Sequence, residues 1–318
     1  MSEFTHILID GSYLARKAFY VHDLSVDIDG KIIPTGIAYG SLATLSRLVR
    51  ESLTEKGKMI ICWDRGYKDK LKIFPGYKEK RRQNKIEDKE KAKDEIKFLE
   101  GRKLFERMLD QTGFYQAHCD GEEADDVISS LAFSITERRD TSVLIYSSDK
   151  DLFQLARDRI FLSYGQFRGK DVVYGPEEIY YKTKLTPKDY LIYQILNGCK
   201  GDEIPGIPGV GDKTARKIIA EMNREHKKVF HVEGKLESIP KPIIRLLVQK
   251  KKMDVDGKDL KYWTEYLDRN KQLMRAITKL EGIKFKRGKN NEDKLVDLFI
   301  DHQFVSFIKG KKVRNFLK

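Results

Sequence analysis

The clearest apolar runs in this chain are strand-length, and each hands over to a carboxylate. Residues 4–9, 58–63 and 142–147 are short and apolar, and Asp10-Gly11-Ser12, Asp64-Arg65-Gly66 and Asp149-Lys150-Asp151 follow them. Residues 159–164 read as a further short strand. Between these runs, residues 42–53, 99–109 and 123–133 carry apolar side chains at helical spacing. Strands that alternate with helices predict an α/β fold, a mostly parallel sheet with helices on both faces. Ligands of such sheets gather beyond the carboxyl ends of the strands. Asp10, Asp64, Asp149 and Asp151 all fall there.

At 318 residues the chain is long enough for a full α/β core and a second, smaller module. Its 62 Lys and Arg outnumber 49 Asp and Glu, a net charge of +13, which suits a polyanionic partner such as nucleic acid. A merely Lys-rich surface has the same charge, so the sites must decide. Cys62, Cys119 and Cys199 form no CxxC pair, which predicts a reducing compartment, no disulfide framework and no zinc site. No apolar run approaches 18 residues and a strand pattern begins almost at once, so neither a membrane span nor a targeting signal is expected. A cytoplasmic location follows.

Carboxylates gathered in a basic chain point to metal. Hard divalent ions take oxygen ligands, and phosphoryl chemistry uses two ions about 4 Å apart. Asp10, Asp64, Glu123, Asp125, Asp126, Asp149 and Asp151 could serve both sites, with Glu123 and Asp126 expected on one helix face and Asp125 turned elsewhere. Each alone reads as a helix cap, a turn residue or a solvated charge. Their joint placement favours metal. A haloacid-dehalogenase-type phosphatase would want a second Asp where Ser12 stands, and a response-regulator receiver is shorter and has no basic arm.

Two segments break the alternation. Residues 65–103 hold 15 basic against 8 acidic residues and lack an apolar face until Ile96. Residues 206–217, Gly-Ile-Pro-Gly-Val-Gly-Asp-Lys-Thr-Ala-Arg-Lys, miss the Walker A spacing because Asp212 intervenes before Lys213. The better reading is a helix-hairpin-helix turn, whose glycines let a phosphate approach the backbone at a helix N-terminus. Lys213, Arg216 and Lys217 then line the next helix beside a nucleic-acid backbone, where an ordinary helix–turn–helix corner is the plain alternative.

Several of these motifs occur together and in order: Ile7–Ser12, Trp63-Asp64, Phe74-Pro75-Gly76-Tyr77-Lys78 with Arg81, Gly121–Asp126, Ser147–Leu152 and Gly206–Ala215. In them the chain resembles the 5′-nuclease superfamily: flap endonucleases, phage RNase H-type 5′→3′ exonucleases and the 5′-nuclease domain of bacterial DNA polymerase I. The resemblance runs from residue 7 to about 220. It implies a PIN-like nuclease domain over residues 1–185 with a helical arch at about 66–100. A helix-hairpin-helix (helix-three-turn-helix) duplex-binding subdomain would span 186–270, and a basic segment, 271–318, would pack back on the nuclease domain.

The resemblance also implies roles. Asp10, Asp64, Glu123 and Asp125 would hold one Mg²⁺ or Mn²⁺, and Asp125, Asp149, Asp151 and Asp202 a second, with Asp126 in the outer sphere. Lys78 and Arg81 would touch the scissile phosphate. Lys17, Arg82, Gly206, Gly209, Gly211, Lys213, Thr214, Arg216 and Lys217 would meet nucleic acid, with K⁺ at the hairpin turn. Four departures stand out: Cys199 replaces a carboxylate of the second metal site; Glu203 replaces Asn and either supplies the missing charge or leaves that site weaker; Lys17 stands where many members have Arg; and Arg16 stands where an aromatic often stacks on a base, so that Phe19, Tyr20 or Arg16 itself would serve instead.

The expected activity is 5′→3′ hydrolysis at 5′ flaps, nicks or RNA–DNA hybrids, giving 5′-phosphates, as in RNA-primer removal during DNA replication. A monomer in a bacterial or phage-infected cell, working with a sliding clamp or single-strand-binding protein, fits that role. The alternative is a structure-specific DNA-binding protein whose catalysis Cys199 has weakened.

Overall fold

A computed structural model describes residues 3–317 apart from 88, 168–169, 225–239, 250–258 and 311. The chain opens with β1 (Phe4–Asp10), which runs into α1 (Gly11–Val21). A hairpin of β2 (Ser25–Ile28) and β3 (Lys31–Pro34) precedes α2 (Gly36–Ser52) and the long strand β4 (Leu53–Trp63). Next come α3 (Lys68–Ile73), α4 (Glu79–Glu87), α5 (Lys89–Leu109), β5 (Tyr115–His118), α6 (Ala124–Thr136) and β6 (Val143–Tyr146). A 3₁₀ turn (Lys150–Leu155) leads to the hairpin of β7 (Ile160–Phe167) and β8 (Lys170–Tyr174). Then follow α7 (Pro176–Thr183), α8 (Pro187–Asn197), the short pair β9 (Gly198–Cys199) and β10 (Ile204–Pro205), and α9 (Asp212–Arg224). The remainder is α10 (Lys241–Gln249), α11 (Leu260–Met274), β11 (Lys284–Arg287), α12 (Glu292–Asp301), α13 (Val305–Lys309) and a 3₁₀ turn (Lys312–Phe316).

Packing divides the chain into two units. One contains Met1–Tyr67, Lys85–Gly175 and Ile277–Lys318; the other contains Lys68–Asn84 and Pro176–Ala276. The first is built on a seven-stranded sheet of order β11-β5-β4-β1-β6-β7-β8. The five inner strands are parallel, and β11 and β8 are antiparallel edges. Ile7, Ile9 and Ile61 point to one face, where they meet Leu14 of α1, Leu45 of α2 and Phe105 of α5. Leu8, Cys62 and Ile145 alternate with them and are equally buried, on the face that α6 covers. Burial on both faces explains why these strands read as unbroken apolar runs.

After α11 the chain returns to this sheet. β11 pairs with β5, and Phe299, Phe304, Phe307 and Phe316 form an aromatic cluster against Tyr39 and Phe114. Burying a side chain of that size contributes roughly 1.5–3 kcal/mol.

The second unit packs α8 against α9 and α11 around buried Leu191, Ile195, Ile218 and Leu267. Parts of the expected duplex-binding segment, 225–239 and 250–258, lie outside the described residues. The stretch expected as one arch is shared: α3 and the start of α4 pack in the second unit and α5 in the first. Ile96 is 60% exposed, so the apolar face of α5 opens at Phe98, which is 3% exposed, two residues later than its composition suggests. Among the described residues no helix is long and apolar enough to cross a membrane, and Cys62, Cys119 and Cys199 are free thiols.

Candidate metal centre and nucleic-acid interface

In the first unit the carboxylates come together because three neighbouring parallel strands end level with one another. Asp10, the last residue of β1, stands opposite Cys62 of β4, and Ile9 stands opposite Tyr146 of β6. Asp64 follows β4 directly, and Ser147 and Asp149 follow β6. The Asp10 carboxylate accepts the Tyr13 N–H at 2.9 Å and the Ser147 hydroxyl at 3.0 Å, so it caps α1 and is braced from the next strand. Asp64 accepts the Ala124 N–H at 2.8 Å and thereby fastens the start of α6 to the end of β4. Backbone bonds from Arg65 N–H to Glu122 and from Gly121 N–H to Arg65 hold the same corner.

Glu123 is the N-cap of α6 with extended backbone, so it does not share a helical face with Asp126, as its spacing suggests. Both are buried, at 8% and 4% exposure. Asp125 lies in the first turn, and its carbonyl accepts the Ser129 hydroxyl. Asp149 caps the 3₁₀ turn by accepting the Asp151 N–H at 2.8 Å. Asp10 and Asp149 are therefore true side-chain caps as well as members of the cluster, whereas Glu123 makes no side-chain capping bond.

Electrostatics show which of these groups crowd together: Asp10, Asp64, Asp125 and Asp149. Burial pushes the Asp10 carboxyl up to about 7; the Asp64 charge adds to this and Asp149 adds less, against the two hydrogen bonds it accepts. The Cys62 thiol beneath them is pushed well up by burial, then by Asp10, Asp125 and Asp64. Mutually repelling, hard oxygen donors at a sheet edge are a donor set that a divalent cation such as Mg²⁺ or Mn²⁺ fits. Lys17 of α1 donates to the Tyr146 hydroxyl at 3.0 Å. Arg16 is committed to Glu95 at 2.6 Å and lies 3.5 Å over the Phe98 ring, so Tyr20, 78% exposed, is the accessible aromatic on α1.

Apart from Lys17, the residues expected to meet nucleic acid lie in the second unit. The Lys78 ammonium pairs with Asp202 at 3.1 Å, and its N–H donates to the Asp202 carbonyl at 3.1 Å. One Glu203 carboxylate oxygen accepts the Lys80 N–H at 2.8 Å in the first turn of α4. Glu203 thus caps the helix that carries Arg81 and Arg82, a use its sequence position does not reveal. Arg81 is exposed, and Arg82 reaches back to the Pro75 carbonyl at 2.7 Å.

Cys199, expected in place of a metal carboxylate, lies in β9 and pairs with Ile204 across the short ladder, half-buried. The turn before α9 sets Gly209 at φ +81°, and Gly206 lies against the Asn197 backbone. Gly211, Lys213 and Lys217 are exposed, and Thr214 is half-buried. Arg216 differs from expectation: its guanidinium is spent on Asp212 at 2.9 Å and on the Thr183 carbonyl, and it stacks over Tyr193, so it braces the helix. Two residues of α11, far off in sequence, hold the turn: Tyr266 donates to the Pro205 and Gly206 carbonyls and Asn270 to Pro205 and Ile195. No local motif marks them.

Comparison with known proteins matches this arrangement. The profile of the 5′-3′ exonuclease N-terminal, resolvase-like domain fits residues 5–184. The 5′-3′ exonuclease of Buchnera aphidicola (subsp. Schizaphis graminum) is 31% identical over 236 residues, 74% of this chain and 76% of that one. DNA polymerase I of Bacillus subtilis is 31% identical over 235 residues, 73% of this chain and 24% of its own length, so the chain spans about a quarter of that relative. The structure of T5 5′-exonuclease with zinc bound aligns over 100% of both chains with a TM-score of 0.63 at 18% identity, a likeness of fold. A domain profile covering more than half of the sequence and a relative at 31% identity, laid over strands whose acidic ends converge, place this chain in the 5′-3′ exonuclease family.

Proposed function

We propose that the protein is a divalent-metal-dependent 5′→3′ nuclease that hydrolyses phosphodiesters at 5′ ends and 5′ flaps of duplexes and leaves 5′-phosphates. The observation that carries this is the convergence of Asp10, Asp64 and Asp149 at adjacent strand ends with Asp125 of α6 close by, and with Asp10 pushed up to about 7. Asp10, Asp64, Glu123 and Asp125 would hold one Mg²⁺ or Mn²⁺, with Asp126 behind them, and Asp149 and Asp151 would serve a second. Bound there, such ions lower the pKa of water and stabilise the leaving 3′-oxygen. The chain's own residues do the rest. Ser147 and the Tyr13 N–H fix the Asp10 carboxylate, and Asp64 orients the start of α6. Lys78 and Arg81 would neutralise charge on the scissile phosphate, and Lys17 and Arg82 would steer the strand. Gly206, Gly209, Gly211, Lys213, Thr214 and Lys217 would bear on the duplex backbone, with K⁺ at that turn.

Substrates on this reading are DNA flaps, nicks and RNA–DNA hybrids, and the cellular task is removal of RNA primers or flaps during replication. The test is a 5′-flap substrate incubated with Mg²⁺, with EDTA and with Ca²⁺, repeated for Asp64→Ala and Cys199→Asp. Cutting that needs Mg²⁺ and disappears in Asp64→Ala supports the nuclease. Tight flap binding without cutting in any metal overturns it in favour of a pure binding protein. Faster cutting by Cys199→Asp would assign the departure at Cys199 to a weakened second ion.

A further inference from the structure

We propose that a hollow between β4, β5, α5 and β11, outside the carboxylate cluster, binds a phosphate group. The hollow has a volume of about 380 Å³, and Trp63, Gln116 and His118 lie in its wall, with Arg65, Lys103, Arg107 and Lys286 around it. Pockets of this size accommodate a phosphate with part of a nucleotide.

The charge pattern singles it out. Two acids line the hollow, and both are already satisfied. Glu106 is held by Arg102 at 2.8 Å. Asp110 takes Lys286 at 2.6 Å and the Gln116 amide at 2.9 Å. That leaves Arg65, Lys103 and Arg107 without an ion pair to either acid of the hollow, although Arg65 also acts on Asp120, which lies outside its lining. Lys103 and Arg107 are four residues apart on α5 and so share a helix face, where like charges repel unless an anion lies between them. His118 is held below its ordinary pKa by burial and then by the Arg65 charge, against Asp120, whose carboxylate lies 3.6 Å from its Nε2.

The wall also says what the site does not read. Trp63 offers a base no stacking surface, because it is 1% exposed, Arg102 lies 4.5 Å from its ring, and the indole N–H is spent on Gln116 at 3.0 Å. The recognised chemistry is therefore the phosphate and not the base, which makes binding independent of sequence. Two sources carry that chemistry: a phosphodiester of a single strand, or the terminal phosphate of a free 5′-mononucleotide. The proposal does not depend on the nuclease reading.

The experiment compares the parent protein with Lys103→Ala/Arg107→Ala and with Lys289→Ala/Lys309→Ala. The second pair removes the same charge from exposed lysines outside the hollow. Binding of dAMP and of a fluorescent (dT)₁₀ is measured by calorimetry and anisotropy in EDTA, so that no phosphate is held through a divalent ion. All three side chains beyond Arg107 are exposed, as is Arg107 itself, so the variants fold; matching circular dichroism melts verify it. The expected result is about a tenfold weakening for each cation removed from the hollow, and little change in the control pair. Weakening confined to (dT)₁₀ assigns the site to a strand; weakening of dAMP as well assigns it to a terminal phosphate. Equal losses in the two double variants, or none in either, overturn the proposal.

Discussion

The three glycines before α9 are each there for a different physical reason, and alanine at each position should behave differently. At Gly206 a Cβ would come within 2.2 Å of the Asn197 carbonyl carbon and 2.3 Å of its oxygen, and backbone cannot give way. Gly206→Ala should cost on the order of 3 kcal/mol or more, at the upper end of overpacking. At Gly209 there is open space but φ is +81°, so Gly209→Ala should cost roughly 1–2 kcal/mol of backbone strain. At Gly211 nothing lies within 4 Å and φ is ordinary. There, reduced freedom of the unfolded chain (about 0.4–1 kcal/mol in favour) opposes a poorer N-cap of similar size, so stability should stay within about 0.5 kcal/mol. If the space at Gly211 is where a phosphate approaches, Gly211→Ala should bind duplex DNA about tenfold more weakly at that unchanged stability. Urea unfolding and fluorescence anisotropy with a labelled duplex at fixed salt measure the two quantities. A Gly211→Ala protein that binds duplex like the parent, or that loses as much stability as Gly206→Ala, would falsify this division of roles.

Three further outcomes are expected. Glu203→Ala removes the cap on the Lys80 N–H and should cost about 0.5–2 kcal/mol locally, seen as faster amide exchange in α4, with Glu203→Gln retaining most protection; unchanged exchange in both would show that the carboxylate matters only to metal. In EDTA, ionising Asp10 costs stability as pH rises from the ordinary carboxylate range through about 7, because its folded-state pKa is the raised one. Asp10→Asn should therefore melt higher than the parent at pH 8 without metal, by about 2–4 °C per kcal/mol relieved, and should gain less from added Mg²⁺; a lower melt refutes the crowding. Tyr266→Phe should lose about 1 kcal/mol through the Pro205 and Gly206 carbonyls and weaken duplex binding, whereas unchanged affinity would separate the turn's geometry from its function.

Legibility followed burial. β1, β4 and β6 could be read because both faces are covered, so their apolar runs are continuous and stop abruptly at Asp10, Asp64 and the turn before Asp149. β5 and β11 could not, since Tyr-Gln-Ala-His carries no apolar run and Lys284–Arg287 is exposed throughout; pairing partners, not composition, make them strands. The β2–β3 hairpin was within reach: Asp29-Gly30 is a two-residue turn signal, and both residues adopt positive φ. In the site, carboxylates were visible as a pattern of strand ends. The partners that aim them, such as Ser147 for Asp10, depend on which strands neighbour one another. Glu203 shows the same limit, because a cap supplied across 123 residues leaves no local trace.

The last segment of the first unit also bears on how the protein is made. Every strand that leads into a candidate metal carboxylate of the first unit lies before residue 152, yet Phe114 and Tyr39 pack against rings at Phe304, Phe307 and Phe316. A nascent chain therefore assembles its reactive edge long before it can seal the opposite flank. Until the ribosome delivers β11, β5 offers an open border, and until it delivers those last rings Phe114 and Tyr39 offer a greasy surface, which makes this the interval in which a chaperone has most to protect.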